Sequence, residues 1–264
     1  MRAGGPDADL EQVEGADGHG ALPLPVCFVT PYGGKITVGC RVLTGMKIAL
    51  VGAGNIGTNL ARAFTRAGHE VTVANSRGPE TLGDLVAETG ATALPVEEVA
   101  QGADVVVVTI PQVKTPDLPE DLFAGASDEV VVIDTNNYYP QQRDGRIDAI
   151  EAGQTESAWV AEQIGRPVVK AFNGIHAADI STAGKPVGDA DRRALPVAGD
   201  QEVAKKVVIG LLDDIGFDAV DGGTLEESWR QQPGTPSYGL AADRDGITAA
   251  LAAASPERTA DWKA

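Results

Sequence analysis

The stretch MKIALVGAGNIGTNLARAFTRAGHEVTVANSRG runs from Met46 to Gly78, and its hydrophobic period changes twice along the way. Met46 to Val51 is apolar and β-prone, Asn55 to Ala67 places Ile56, Leu60, Ala63 and Phe64 at helical spacing, and Val71 to Ala74 is apolar again. Strand, helix and strand in that order form a βαβ unit. Where the first strand meets the helix, Gly52-Ala53-Gly54-Asn55-Ile56-Gly57 matches G-x-G-x-x-G. Gly52 permits a tight turn, Gly54 lets a pyrophosphate approach the backbone, and Gly57 lets the helix pack closely on the sheet. Asn55 and Ile56 open the helix, whose free N–H groups and positive dipole end favour phosphate. The motif predicts a dinucleotide site.

The second strand ends in Asn75-Ser76-Arg77, at the position where an acidic residue would grip the ribose hydroxyls of NAD. A carboxylate would repel a 2′-phosphate, whereas a serine hydroxyl and a guanidinium can hydrogen-bond and neutralise one. The expected cofactor is therefore NADP.

Working outward, the pattern predicts helices near Thr81–Glu88, Val96–Ala100, Leu118–Ala124 and Ser157–Ile164, alternating with strands at Thr92–Leu94, Asp104–Ile110, Val130–Thr135 and Pro167–Phe172. Such alternation argues for an α/β fold with a doubly wound parallel sheet over residues 46–173. Residues 174–264 read as a small mixed α/β lobe for substrate or dimer contacts. Its expected strands are Leu195–Ala198 and Asp218–Val220, and its expected helices are Glu202–Ile215, Leu225–Gln231 and Ile247–Ala253.

Residues 1–45 are dense in Gly and Pro and read as a flexible leader in which no strand or helix grows. Met1 and Met46 are the only methionines, and Met46 directly precedes the first strand, which suggests translation from Met46.

The 264-residue chain is 43% hydrophobic, enough to bury a core, and its net charge of −17 disfavours nucleic acid and anionic membranes as partners. No apolar run approaches the roughly 20 residues that cross a bilayer. Both cysteines, Cys27 and Cys40, precede Met46, so the main domain has no disulfide or thiolate metal site, which fits a cytoplasmic protein. The three histidines are widely separated, with no H-x-x-x-H spacing, and no metal is expected.

Chemistry is expected in the crevice at the carboxyl ends of the strands. Ile110 and Pro111 by position line the nicotinamide, and Asn136 with Asn137 bind its amide or the substrate; equally, Pro111 ends a strand and the asparagines cap a turn. Lys170 and His176 are the titratable candidates for polarising or protonating an acceptor, with Asn173 beside them; a surface ion pair for Lys170 and a core or cap role for His176 are the alternatives.

Three stretches in order, the Met46–Glu80 segment, VVKAFNGIHA and LPVAGDQEVAKKVVIGLLDDIGFDAVDGGTL, resemble the NADP oxidoreductases related to coenzyme F-420-dependent NADP reductases. The resemblance covers roughly Met46 to Ser228. It implies a Rossmann domain with a small C-terminal lobe, a small-molecule substrate or deazaflavin in the cleft, coenzyme F-420 as co-substrate, and a homodimer. It also implies that Ser76 and Arg77 hold the 2′-phosphate. Reductases of small imines or carbonyls share the glycine fingerprint but carry a large helical C-terminal domain for which too few residues remain. A non-catalytic NADP(H) redox sensor is the reading from outside the enzymes.

Overall fold

The structure, a computed structural model, describes residues 45–127 and 129–264, together with the strands at 26–32 and 35–41. Among the described residues the strands are, in chain order, β1 (Val26–Tyr32), β2 (Lys35–Arg41), β3 (Lys47–Val51), β4 (Glu70–Ala74), β5 (Thr92–Ala93), β6 (Val105–Val108), β7 (Val131–Asp134), β8 (Val169–Lys170), β9 (Ala194–Val197) and β10 (Asp218–Asp221). The α-helices are α1 (Asn55–Arg66), α2 (Gly83–Thr89), α3 (Asp148–Glu151), α4 (Glu156–Ile164), α5 (Ala177–Thr182), α6 (Glu202–Asp214) and α7 (Arg244–Ala252).

Six strands form one parallel sheet in the order β5-β4-β3-β6-β7-β8. The order turns back at β3, so β3 and β6 flank the point where the connections diverge to opposite edges, and this opens a crevice at their carboxyl ends. The expected α/β fold, a Rossmann-type doubly wound sheet, is the one observed.

Strand alternation builds two cores. Ile48, Leu50, Val105 and Val107 face one side with Phe64 of α1, while Ala49, Val51, Val106 and Val108 face the other with Trp159 and Val160 of α4. The first core runs without a break into Leu195, Val197, Val207, Leu211 and Phe217, so β9 and α6 share the hydrophobic interior of the sheet. Backbone joins them too: Lys170 and Ala198 form an antiparallel bridge, with N–H···O distances of 2.8 and 3.1 Å, that ties the parallel β9–β10 pair to the last strand. β9 and α6 thus extend the first core, while Ala194, Ile247 and Leu251 pack as a smaller cluster within residues 174–264.

Several expectations need correction. The segments 96–100 and 118–124 are turns, because each starts at a proline and closes only three-residue spacings, Glu98 N to Pro95 O and Leu122 N to Pro119 O. Part of the expected leader is a hairpin: β1 and β2 pair antiparallel from Val26↔Arg41 to Tyr32↔Lys35. Val, Ile and Thr recur in both segments, VCFVTPY and KITVGCR, and such β-branched residues suit strands. Residues 1–25 lie outside the described residues. Among the described residues, no helix is long and apolar enough to cross a membrane.

Candidate functional site

The glycine turn follows β3 directly. Gly52 has φ +118°, and a Cβ there would stand 2.2 Å from the Thr109 carbonyl and 2.9 Å from Ile110 Cγ2. A Cβ on Gly57 would stand 2.0 Å from the Gly52 carbonyl oxygen. Both glycines are required by close approach of the chain to itself. Gly54 is different, since a Cβ there would meet nothing within 4 Å. It is exposed and serves as N-cap of α1 without a side-chain cap, and no acidic residue lies in the first turn. The amides of Asn55, Ile56 and Gly57 thus head a helix with no carboxylate to satisfy them, an arrangement that could receive a pyrophosphate.

Beyond β4, Asn75 shapes the loop: its Oδ1 accepts from Arg77 N at 2.9 Å and its Nδ2 donates to Thr81 Oγ1 at 2.9 Å. Asn75 therefore braces the turn, and Ser76 and Arg77 are left exposed. They stand beyond the strand next to the glycine turn, where an adenosine 2′-phosphate could meet them.

On the other side of the turn, Ile110 and Pro111 are partly exposed after β6, with Ile110 against Gly52. Asn136 holds this loop. It is 3% exposed, its Oδ1 accepts from Ile110 N at 3.2 Å, and its Nδ2 points to Thr115 Oγ1 at 3.5 Å. The expectation that Asn136 binds the nicotinamide amide is thereby corrected: its side chain is spent on positioning Ile110.

Lys170 requires a larger correction. It is fully buried, its Nζ donates to the Asn136 carbonyl at 3.0 Å, and Glu156 Oε2 lies 3.5 Å away. Glu156, also fully buried, is met from its other side by Arg258 Nη2 at 2.6 Å. Asp134, beside them, accepts from Ser157 Oγ and Asn136 N; burial pushes its carboxyl up, while the Lys170 charge and these bonds pull it back. Lys170 is thus a buried brace rather than half of a surface ion pair, its ammonium held by the Asn136 carbonyl and Glu156.

Asn173 is a junction. Its Nδ2 donates to Asn137 Oδ1 at 3.1 Å and to the Gln231 carbonyl at 2.6 Å, its Oδ1 accepts from Gln231 Nε2 at 3.0 Å, and its carbonyl accepts from Asn137 Nδ2 at 2.9 Å. The residue before it, Phe172, has φ +63°, the one positive value for a non-glycine residue among those described. Such a backbone costs on the order of 1–3 kcal/mol and persists only where packing dictates it. Here a buried ring set edge-on to Phe64 at 6.2 Å supplies that packing, and the twist turns Asn173 toward both loops.

His176 is exposed at the N-cap of α5, in a groove shared with Ile175, Arg193, Leu195 and Leu240, and Arg193 is held by Asp179 at 2.7 Å. The structure therefore gathers the glycine turn, Ile110 and Pro111 at one end of the crevice and leaves His176 accessible, while Lys170, Asn173 and Asn136 support the floor. Sequence reading missed Glu156, Arg258 and Tyr238, and it gave no role to Gln231 or Tyr139, although their loops, Gln231–Pro236 and NNYYP at 136–140, read as lying near the crevice.

With this geometry in view, comparison with known proteins becomes informative. Residues 47–138, from β3 through the β7 loop, match the family described as NADP oxidoreductase, coenzyme F-420-dependent. The hypothetical protein SMa0349 from Sinorhizobium meliloti superposes with a TM-score of 0.62 at 32% identity, the match covering 75% of this chain and 94% of that one. The chain belongs to this NADP oxidoreductase family. An Arthrobacter protein described as a candidate F-420-dependent NADP reductase shares the fold, with a TM-score of 0.56 at 24% identity over 69% of this chain and 86% of its own. The Escherichia coli protein YjhV is 53% identical over 53 residues, which make up 20% of this chain and 39% of YjhV. The match thus spans well under half of that curated relative.

Proposed function

We propose that this NADP oxidoreductase transfers a hydride between NADP(H) and coenzyme F-420. The observation that carries the cofactor end is the pairing of an open, uncapped α1 N-terminus with exposed Ser76 and Arg77 one strand away. In this reading Gly52, Gly54, Asn55, Ile56 and Gly57 cradle the pyrophosphate, and Asn75 presents Ser76 and Arg77 to the 2′-phosphate. Ile110 and Pro111 flank the nicotinamide, and NADPH when bound supplies the hydride. The F-420 end rests on the family description and on the name of the Arthrobacter relative. Ring-to-ring hydride transfer depends on stacking two planar groups at close approach, and in this reading the second ring approaches along the shallow groove beside His176. A homodimer belongs to the proposal through the same kinship, and light scattering measures it directly.

The test is stopped-flow oxidation of NADPH, and separately of NADH, with oxidised F-420. Coupled loss of NADPH and deazaflavin absorbance, slow or absent with NADH, is the expected result. Tight NADPH binding without loss of the deazaflavin band would remove F-420 as the acceptor. The imine or carbonyl reading then comes forward, because it too needs a proton donor beside the hydride acceptor.

A further inference from the structure

Two phenols from distant parts of the chain meet beyond the carboxyl end of β7. Tyr139 lies in the loop after β7, Tyr238 lies beyond the helical turn Glu226–Gln231, and their hydroxyls are hydrogen-bonded to each other. The two loops are clamped by Asn173, which bonds Asn137 in one and Gln231 in the other. Gly239 N donates to the Gly174 carbonyl at 3.0 Å, and both glycines line the groove that holds His176. Gly239, which lines that groove, follows Tyr238 directly in the chain, and both tyrosines are half-buried.

A phenol that serves only as a brace usually donates its proton to a carbonyl or carboxylate, as Tyr138 does to Glu151 at 3.1 Å. The Tyr139–Tyr238 pair is wired differently. Two hydroxyls bonded to each other use one of their two protons, and among the described residues neither has another protein partner. One proton is left to give away. Burial, with the bond from Tyr139, pushes the Tyr238 phenol up and keeps it a proton carrier through neutral pH. The Arg143 guanidinium lies 5.0 Å from the centre of the Tyr139 ring, where it stabilises negative charge as a proton departs.

We propose that Tyr139 and Tyr238 are a proton relay for the hydride acceptor, and that the acceptor is a molecule whose reducible carbon is conjugated to an oxygen or nitrogen that takes up a proton. This rests on the reading that the chain reduces an acceptor with NADPH. As the acceptor's carbon gains the hydride in a new C–H bond, the π pair moves to the heteroatom. One tyrosine's O–H bond breaks as the heteroatom takes its proton. The second tyrosine passes its own proton across the shared hydrogen bond, and water restores it. The sum is NADPH, acceptor and one proton giving NADP⁺ and the dihydro acceptor.

The experiment uses the full chain with Tyr139→Phe, Tyr238→Phe and Trp262→Phe. Trp262 lies 5.9 and 6.3 Å from the two tyrosine rings, carries no proton of the relay and serves as the fluorescence reporter beside it. Each tyrosine variant should lose about 100-fold in kcat with oxidised F-420, the scale of a general acid, while NADPH affinity and Tm stay near wild type. A second readout needs no turnover: oxidised F-420 added to the protein alone should quench tryptophan fluorescence, and Trp262→Phe, which removes one of three tryptophans, should abolish most of that quench.

Tyrosine variants with wild-type kcat would overturn the relay, as would a quench unaltered in Trp262→Phe. If F-420 gives neither quench nor turnover, menadione and pyrroline replace it in the same set. Activity with either removes the F-420 reading and leaves the relay to be decided by the variants; no NADPH oxidation with any of the three overturns both.

Discussion

The two ends of the crevice treat their polar groups in opposite ways. Around the glycine turn and the loop after β4, Gly54, Asn55, Ser76 and Arg77 are exposed, and α1 begins without a cap. Under β7 and β8, Asp134, Asn136, Glu156, Lys170 and Asn173 are buried and bonded to one another or to backbone. Polar groups left open on a rigid frame are available to a ligand, whereas polar groups already paired can only hold the frame. Residue type alone would have ranked Lys170 and Asn136 among the most chemical side chains of the chain. Their partners make them scaffold.

The largest test of this contrast is at the paired end. Lys170→Met removes the ammonium between Asn136 and Glu156 and leaves buried carboxylates without it, so unfolding stability should fall by about 3–5 kcal/mol. Urea denaturation reads this directly, and a loss under 1 kcal/mol would show that the cluster is held by Arg258 instead. Next comes Gly57→Ala. Its Cβ would stand 2.0 Å from the Gly52 carbonyl and 3.0 Å from Thr109 Cγ2, so α1 must shift off the turn. Overpacking of this kind costs about 2–3 kcal/mol, and NADPH binding should be lost with it because the turn itself moves. Unchanged stability in this variant would mean that the helix has slack the structure does not show.

At the open end the effect should fall on binding and spare the fold. Arg77→Ala should weaken NADPH by about 1.5–3 kcal/mol, the scale of a charged hydrogen bond, and leave NADH and Tm nearly untouched. Titration calorimetry with both nucleotides separates the outcomes, and equal losses for the two would detach Arg77 from the 2′-phosphate.

What could be read from sequence follows the range of the interactions. The glycine turn, the Val105–Val108 strand and the Asn75-Ser76-Arg77 loop are visible because period, turn chemistry and charge are written in adjacent residues. The roles of Lys170 and Asn173 are not. Lys170 depends on Glu156, 14 residues away, and Glu156 on Arg258, 102 residues away. Asn173 depends on Gln231 at a separation of 58. No local pattern encodes such pairs. The tyrosine relay shows the same limit: NNYYP is conspicuous, but its meaning lies in Tyr238, 99 residues on. Short segments failed for a different reason, since Pro95 and Pro119 start turns that close too few bonds to propagate as helix.

The smallest expected effect separates the two ends most cleanly. Gly54→Ala adds one methyl group at a position with φ −79°, a conformation alanine adopts freely, and nothing stands within 4 Å of it. Two stability terms oppose each other: alanine restricts the unfolded chain, which favours folding by about 0.4–1 kcal/mol, but it is a poorer N-cap than glycine by a similar amount. The net change should stay within about 0.5 kcal/mol. Binding has no such cancellation, because the methyl group stands in the space through which a pyrophosphate would reach the amides of α1, and NADPH affinity should fall about tenfold, or about 1.4 kcal/mol. Gly57→Ala, three residues on, makes the same chemical change and should cost stability first. A Gly54→Ala protein that melts as wild type yet binds NADPH poorly would therefore assign the open space to the ligand, and one that binds NADPH as wild type would move the pyrophosphate away from the turn.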